Sequence, residues 1–368
     1  LTQGDVAGAR QLLDMVAARP DLPEHLGPSL QKSREQLAQG PVTVQTTATR
    51  WQLSTALAHD SNLNNAPAAS QLTLTVPRGP VTLPLEKEFQ SQSGAAWLNA
   101  AQWQLAHAVG RQVFLLAADM RSRITSQNGS TGYLQSGLSG YWMQDPAADS
   151  QWVGQLSWGQ LRFGNQRLYS SDGGSLQRQW KIFAAQDLQR VCRLGAGVEL
   201  ENRRYPTSPS LDGLYRGLLL SANCAHGSQA GQADGMDITQ WFDRPQYGLL
   251  LRVGEDQARA SGRAGGRYQR AELRLSWEAR VGVSRLLADY NWTRQLDSEG
   301  YSPLFDNNAR RNSARHGVRV TLSYPLPQPQ WKGAELFASL ELSRQNSNLP
   351  AFQTRQKTVM TGLRWDLP

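Results

Sequence analysis

The sequence predicts an all-β transmembrane barrel of about 14 antiparallel, up-and-down strands over residues 41–368, preceded by a short α-helical segment over residues 1–40. Three observations predict it. From residue 41 onward apolar and polar residues alternate with period two, the spacing of strands that turn successive side chains to opposite faces. The alternating stretches run to about twice the ~5–6 residues of an ordinary strand, a length suited to crossing a bilayer at a tilt. Short and long connections take turns along the chain, as they must when an even number of strands returns both chain ends to one rim.

The first 40 residues differ from all that follow. Val6, Ala9, Leu12, Leu13, Val16 and Ala17 recur at helical spacing up to Pro20. A second helix is expected over 29–39, with Pro28 at its start and Gly40 after it. The pair is similar to the tail of a tetratricopeptide array, whose repeats need neighbours to bury their faces; a plain helical hairpin is the other reading. The chain begins at Leu1 without a signal peptide, as expected of a processed form or a piece of a longer protein.

Strands are expected at 51–59, 95–107, 110–123, 131–143, 150–163, 177–187, 190–203, 214–226, 246–258, 267–279, 282–295, 314–325, 333–345 and 356–367. The clearest runs from Arg270 to Ala279, where Ala271, Leu273, Leu275 and Trp277 alternate with Arg270, Glu272, Arg274 and Ser276. A soluble sandwich would turn such polar faces to water, whereas a barrel turns them inward. Strand length and number favour the barrel. The lumen-lining set is then Arg193, Glu199, Glu201, Arg270, Glu272, Arg274, Arg285, Asp289, Arg319, Glu335, Glu341 and Arg364. Short turns are expected near 108–109, 144–149, 188–189, 280–281 and 325–332, and longer loops at 60–94, 164–176, 204–213, 296–313 and 346–355. The stretch 227–245 breaks the alternation by being long on the short-turn side. Aromatic girdles are expected from Trp51, Trp142, Trp152, Trp277, Tyr324 and Trp365 at one rim, and from Tyr133, Tyr205, Tyr215, Tyr268 and Trp292 at the other.

Composition agrees with this class. The mean hydropathy is −0.51 and no run of 18 apolar residues occurs, which excludes a helical span but not a barrel. The net charge of +8 is carried almost wholly by Arg, with Lys only at 32, 87, 181, 332 and 357. No basic helix or nucleic-acid module is present, so nucleic acid is not an expected partner. Cys192 and Cys224 are symmetric about residue 208 and would face each other in a hairpin centred there. A cross-strand disulfide and two unpaired lipid-facing thiols both fit.

No nucleophile elbow, phosphate-binding loop, zinc motif or C-x-x-C pair occurs, and the five His are scattered. No enzyme activity, cofactor or metal is expected. Glu199 and Glu201 read as lumen residues bonded to Arg rather than as a catalytic pair. The stretch Asp60-Ser61-Asn62-Leu63-Asn64 suits Asx turns, with calcium ligation the weaker alternative.

The last strand alternates Val359, Thr361, Leu363, Trp365 and Leu367 with Met360, Gly362, Arg364 and Asp366. It resembles the C-terminal signal read by the machinery that inserts bacterial outer-membrane barrels, carried here by Gly362, Trp365 and Leu367. It departs from that signal in Met360 and in a final leucine where an aromatic is usual.

Together these stretches resemble the surface lipoprotein assembly modulators, a family of periplasmic tetratricopeptide repeats followed by a fourteen-stranded barrel. The matching motifs are Asp60 to Asn64 after the first strand, Gly94-Ala95-Ala96 opening the second, Gly300-Tyr301-Ser302-Pro303-Leu304 with Arg310-Arg311, and Ser347-Asn348 before the last strand. The resemblance implies an outer-membrane translocon that exports a protein client, a lipoprotein or a soluble protein, with its N-terminal segment in the periplasm. Its partners would be that client, the barrel-insertion machinery and outer-membrane lipids. The near absence of a repeat domain departs from the family. An exopolysaccharide export porin, with Phe337, Glu335 and Glu341 against the sugar, and a passive porin are the alternatives.

Overall fold

The computed structural model describes residue 15 and residues 46–125, 131–185, 190–226, 247–328 and 331–367. The helices expected within 1–40, residue 15 apart, and the long connection 227–245 lie outside the described residues. The described strands are β1 (Thr46–Asp60), β2 (Gln71–Val76), β3 (Gly79–Pro84), β4 (Gly94–Val109), β5 (Gln112–Thr125), β6 (Tyr133–Met143), β7 (Ser150–Phe163), β8 (Gln166–Ala185), β9 (Arg190–Arg204), β10 (Gly213–His226), β11 (Tyr247–Ala258), β12 (Tyr268–Val281), β13 (Ser284–Gly300), β14 (Arg310–Pro325), β15 (Ala334–Ser347) and β16 (Thr354–Leu367). β1 and β4 to β16, 14 strands, form one closed antiparallel barrel, and β2 with β3 forms a separate hairpin in the first long connection. Closure leaves the barrel no sheet edge, so its backbone groups are satisfied within the wall, as a bilayer requires.

Register carries the alternation around the barrel. On the outer face Leu275 lies opposite Tyr290, Tyr290 opposite Val318, and Val318 opposite Leu342. On the inner face Glu199 lies opposite Gly217, Gly217 opposite Gly254, and Gly254 opposite Arg270. Large apolar side chains are exposed on the outer face, among them Leu57, Leu156, Val198, Leu218 and Val359. A small apolar cluster lies on the inner face near the rim where β1 begins and β16 ends, built on Ala106, Ala108 and Val113. The seam between first and last strands runs from Trp51 opposite Leu367 to Asp60 opposite Thr358. Gly362 sits in that seam, where a Cβ would lie 2.1 Å from the carbonyl oxygen of Thr55, so no larger residue lets the strands approach this closely.

Two features of the far rim depart from expectation. The stretch 164–176 is not a long loop: β8 begins at Gln166 and Phe163 pairs with Gln166. Gly164 turns the chain at φ 56°, and the Gly- and Ser-rich run after it is strand, with Ser171, Gly173 and Ser175 on the inner face. The connection 61–93 is not plain loop, because Leu72 pairs with Leu83 and Leu74 with Val81 around the turn at 77–78. The aromatics need one correction. Trp51, Trp142, Trp152, Trp277, Tyr324 and Trp365 face outward near the rim where β1 begins and β16 ends. At the far rim Tyr133, Tyr215 and Tyr268 face inward, each under an arginine: Arg123, Arg252 and Arg203. Their phenol groups gain cation–π contacts there, and they form no outer girdle.

Candidate functional site

The Asp60–Asn64 stretch anchors the first long loop where β1 leaves the wall. The Asp60 carboxylate accepts the backbone N–H of Asn62 at 2.8 Å and the Gln356 amide at 2.7 Å, and faces Arg123 at 3.4 Å. Asn62 exchanges hydrogen bonds with Ala66, its side-chain oxygen accepting from Ala66 N–H at 2.9 Å, and donates to the carbonyl of Arg355 at 3.1 Å. The Ser61 hydroxyl accepts the Lys357 N–H at 2.9 Å, and the Asn64 oxygen accepts the Gln92 N–H at 3.1 Å. Arg123, on the inner face of β5, donates to the carbonyls of Leu63 at 2.6 Å and Thr131 at 2.7 Å. These side-chain oxygens are thus taken up inside the protein, in Asx turns and strand-to-loop bonds, which leaves little for a cation.

The other stretches meet at the same rim. The hairpin's Thr75 N–H donates to the carbonyl of Leu304 at 2.8 Å, and Ala68 N–H to that of Gln353 at 2.7 Å. Gly300 pairs with Arg310 across the β13–β14 ladder. Arg311 binds Asp297 at 3.1 Å and lies 4.9 Å over the Tyr301 ring and 4.8 Å over that of Phe352, the two rings packing edge to face at 4.7 Å. The Asn348 amide donates to the carbonyl of Arg310 at 2.9 Å while its oxygen accepts the Asn312 N–H at 2.8 Å. The Ser302 hydroxyl accepts the Leu304 N–H at 3.3 Å. Arg123, Gln356, Asp297 and Phe352 complete the assembly and were not singled out from the sequence. Arg123 and Gln356 were legible as polar positions on inward faces; Phe352 and the hairpin contact had no local signal.

All twelve expected lumen residues lie on the inner face. Arg252 lies 2.8 Å from Glu199 and 3.5 Å from Glu201. Glu272, itself buried, is reached by Arg252 at 3.2 Å, Arg270 at 2.9 Å and Arg274 at 2.5 Å. Glu335 binds Arg285 at 2.9 Å and faces Arg364 at 3.6 Å, and Arg319 binds Glu341 at 2.6 Å. Asp289 sits opposite Arg319 in the ladder. Arg193 donates to the carbonyls of Pro146 and Ala148 at 2.6 and 3.0 Å. Asp256 is held between Arg203 and Arg263, the latter reaching in from the loop 259–267. Burial lowers the pKa of Arg263, with nearby Tyr268 acting against the shift.

Arg270, Arg274, Arg285, Arg319 and Arg364 each answer a carboxylate, so this part of the wall is zwitterionic rather than cationic. Phe337 is not free to stack on a sugar: it is buried, with the Arg364 guanidinium 5.1 Å over its ring. The inner face of β6 to β9 carries Gly137, Ser139, Ser157, Gly159, Gly173, Ser175 and Gly197 in register. Inward-facing Arg121, Gln135, Ser157, Arg274 and Arg319 are solvent-exposed, so solvent reaches the lumen. One chamber of about 430 Å³ is lined by β1, β4, β5 and β14 to β16. Cys192 and Cys224 lie opposite each other on the outer face of β9 and β10 and form a disulfide.

No protein-family model and no curated protein sequence matches the chain. Among solved structures it is similar to OprD of Pseudomonas aeruginosa, at 8% identity and a TM-score of 0.36 over 87% of this chain and 95% of that one. It is also similar to OccAB3 of Acinetobacter baumannii, at 8% identity and 0.36 over 87% and 99%. A BenF-like porin from Pseudomonas fluorescens Pf-5 gives 8%, 0.36, 87% and 99% in the same terms. At such scores the likeness carries no argument about family or cargo.

Proposed function

We propose that the chain is a channel of the bacterial outer membrane that passes small polar solutes by diffusion. The observation that carries the reading is the closed barrel wall, apolar outside and polar inside, with solvent-exposed residues such as Ser157 and Arg274 pointing into the lumen. The outer belt supplies the lipid contact, and the Gly362, Trp365 and Leu367 strand would be read by the insertion machinery. Paired charges leave the wall polar without a strong field of one sign, which suits diffusion of both charged and neutral solutes. Purified protein in liposomes tests this: swelling in isotonic arabinose, with stable ionic conductance in planar bilayers, is the expected result. Arabinose-tight liposomes and no conductance would overturn it.

A second reading, export of a protein client, is supported by one specific observation. The four stretches that carry the resemblance to the surface lipoprotein assembly modulators lie at one rim although they are far apart in sequence, and two of them bond directly, Asn348 donating to the carbonyl of Arg310. In that reading the N-terminal segment stands in the periplasm. Surface and secreted proteomes of a deletion strain and its complemented form, with polysaccharide stained in parallel, separate the readings. Loss of one or two surface proteins favours export of protein; loss of an exopolymer favours the sugar pore, against which the covered Phe337 already argues.

A further inference from the structure

We infer that the inner face of β5 carries a binding site for a zwitterion of dipeptide length, formed by Asp119 and Arg121. The inference deepens the channel reading and rests on it. The register isolates these two charges. Asp119 lies between Gln102 on β4 and Gly137 on β6, and Arg121 between Ala100 and Gln135. Elsewhere on the inner face opposite charges meet across strands, as Arg252 meets Glu272 and Arg319 meets both Asp289 and Glu341. Among the described residues Asp119 and Arg121 have neither an ion-pair nor a hydrogen-bond partner, and both line the chamber of about 430 Å³.

The two charges also keep apart from each other. A Cβ at Gly137 would lie 2.5 Å from Asp119 Oδ1, so the absent side chain is the space into which the carboxylate leans. Arg121 extends instead into solvent in the lumen. Alternate residues of a strand stand about 7 Å apart. An extended dipeptide spans up to about 7 Å between its ends, so its ammonium reaches Asp119 while its carboxylate meets Arg121, which offers the bidentate fork that carboxylates favour. Ala56, Leu98 and Ala100 line the same chamber.

The test is the block of single-channel current by glycylalanine, compared with its N-acetyl form and its amide. In the wild type glycylalanine lowers the current at concentrations where neither capped form does. Asp119→Asn and Arg121→Gln each raise the half-block concentration about fivefold, the share of one charge-assisted hydrogen bond of about 1 kcal/mol at an exposed site. Arabinose swelling stays at the wild-type rate in both variants, which shows that the barrel is formed and open. Equal block by the N-acetyl form would reduce the site to an anion contact and overturn the inference, as would half-block concentrations that neither substitution moves, with the channel reading left standing. Absence of both current and arabinose swelling would remove the channel reading and this site with it.

Discussion

The lumen wall has two unlike sectors. Over β9 to β16 it is dense with charge, and the carboxylates of Glu272 and Glu335 each gather several guanidinium groups. Over β6 to β8 the inward positions are largely glycine, serine and glutamine. The difference shows that charge in this barrel is mostly structural. Arginine fills the charged sector because a guanidinium spreads several donors over neighbouring strands, stitching β9 to β12 from within. The small-residue sector leaves room instead, and it is opposite in strand order to β13–β15. Solute would pass between a smooth wall and a charged one.

The largest expected effect breaks the smooth sector at its border. Gly197 on β9 is so close to β8 that a Cβ would lie 2.3 Å from the carbonyl oxygen of Leu176. Gly197→Val therefore prevents the strands from pairing, and no heat-modifiable barrel band is expected on a semi-native gel. Gly140→Val is the control, since nothing lies within 4 Å of a Cβ there, and it folds as the wild type. Equal folding of both would show that β8 and β9 give way easily.

Next comes the charged sector. Glu272→Gln removes the one carboxylate shared by Arg252, Arg270 and Arg274. Arg270 and Arg274 then lose their carboxylate while Arg252 keeps Glu199 and Glu201, and breaking such a buried network costs about 3–5 kcal/mol. The measurement is the urea midpoint for unfolding in micelles. A loss below about 1 kcal/mol would mean that water in the lumen already screens these charges.

Much of this was legible in the sequence, and the reason is the period-two code. Because each strand has one apolar and one polar face, reading Arg270, Glu272 and Arg274 as inward needs no knowledge of neighbours, and all twelve such residues lie inward. What neighbours do to those residues was not legible. That Glu272 neutralises Arg252 depends on the β11–β12 register, which residues on one strand do not specify. The run from Ser170 to Ser175 reads as loop because glycine and serine signal turns by composition, whereas it is strand whose alternate members Ser171, Gly173 and Ser175 are small residues facing a lumen. The Asp60–Asn64 stretch was visible as Asx-turn chemistry, but its partners Arg123 and Gln356 lie 63 and 296 residues away in the chain, beyond any local pattern.

The smallest effect sharpens the contrast most. Ser157 faces Ser139 and Gly173 across the small-residue sector and is exposed although it points inward. If that sector is open passage, Ser157→Gln adds bulk to water and not to a packed core. The urea midpoint should then shift by no more than about 0.5 kcal/mol, the usual range for an exposed position, while arabinose swelling slows. A destabilisation well above that, with swelling unchanged, would mean that Ser157 is packed and that solute takes another route. The same substitution at Ser323, fully buried on the charged side, should give the opposite pattern, because there the added atoms have no lumen to enter and overpacking costs about 1–3 kcal/mol. The two serines, alike in sequence, thus report separately on which part of the wall is passage and which is scaffold.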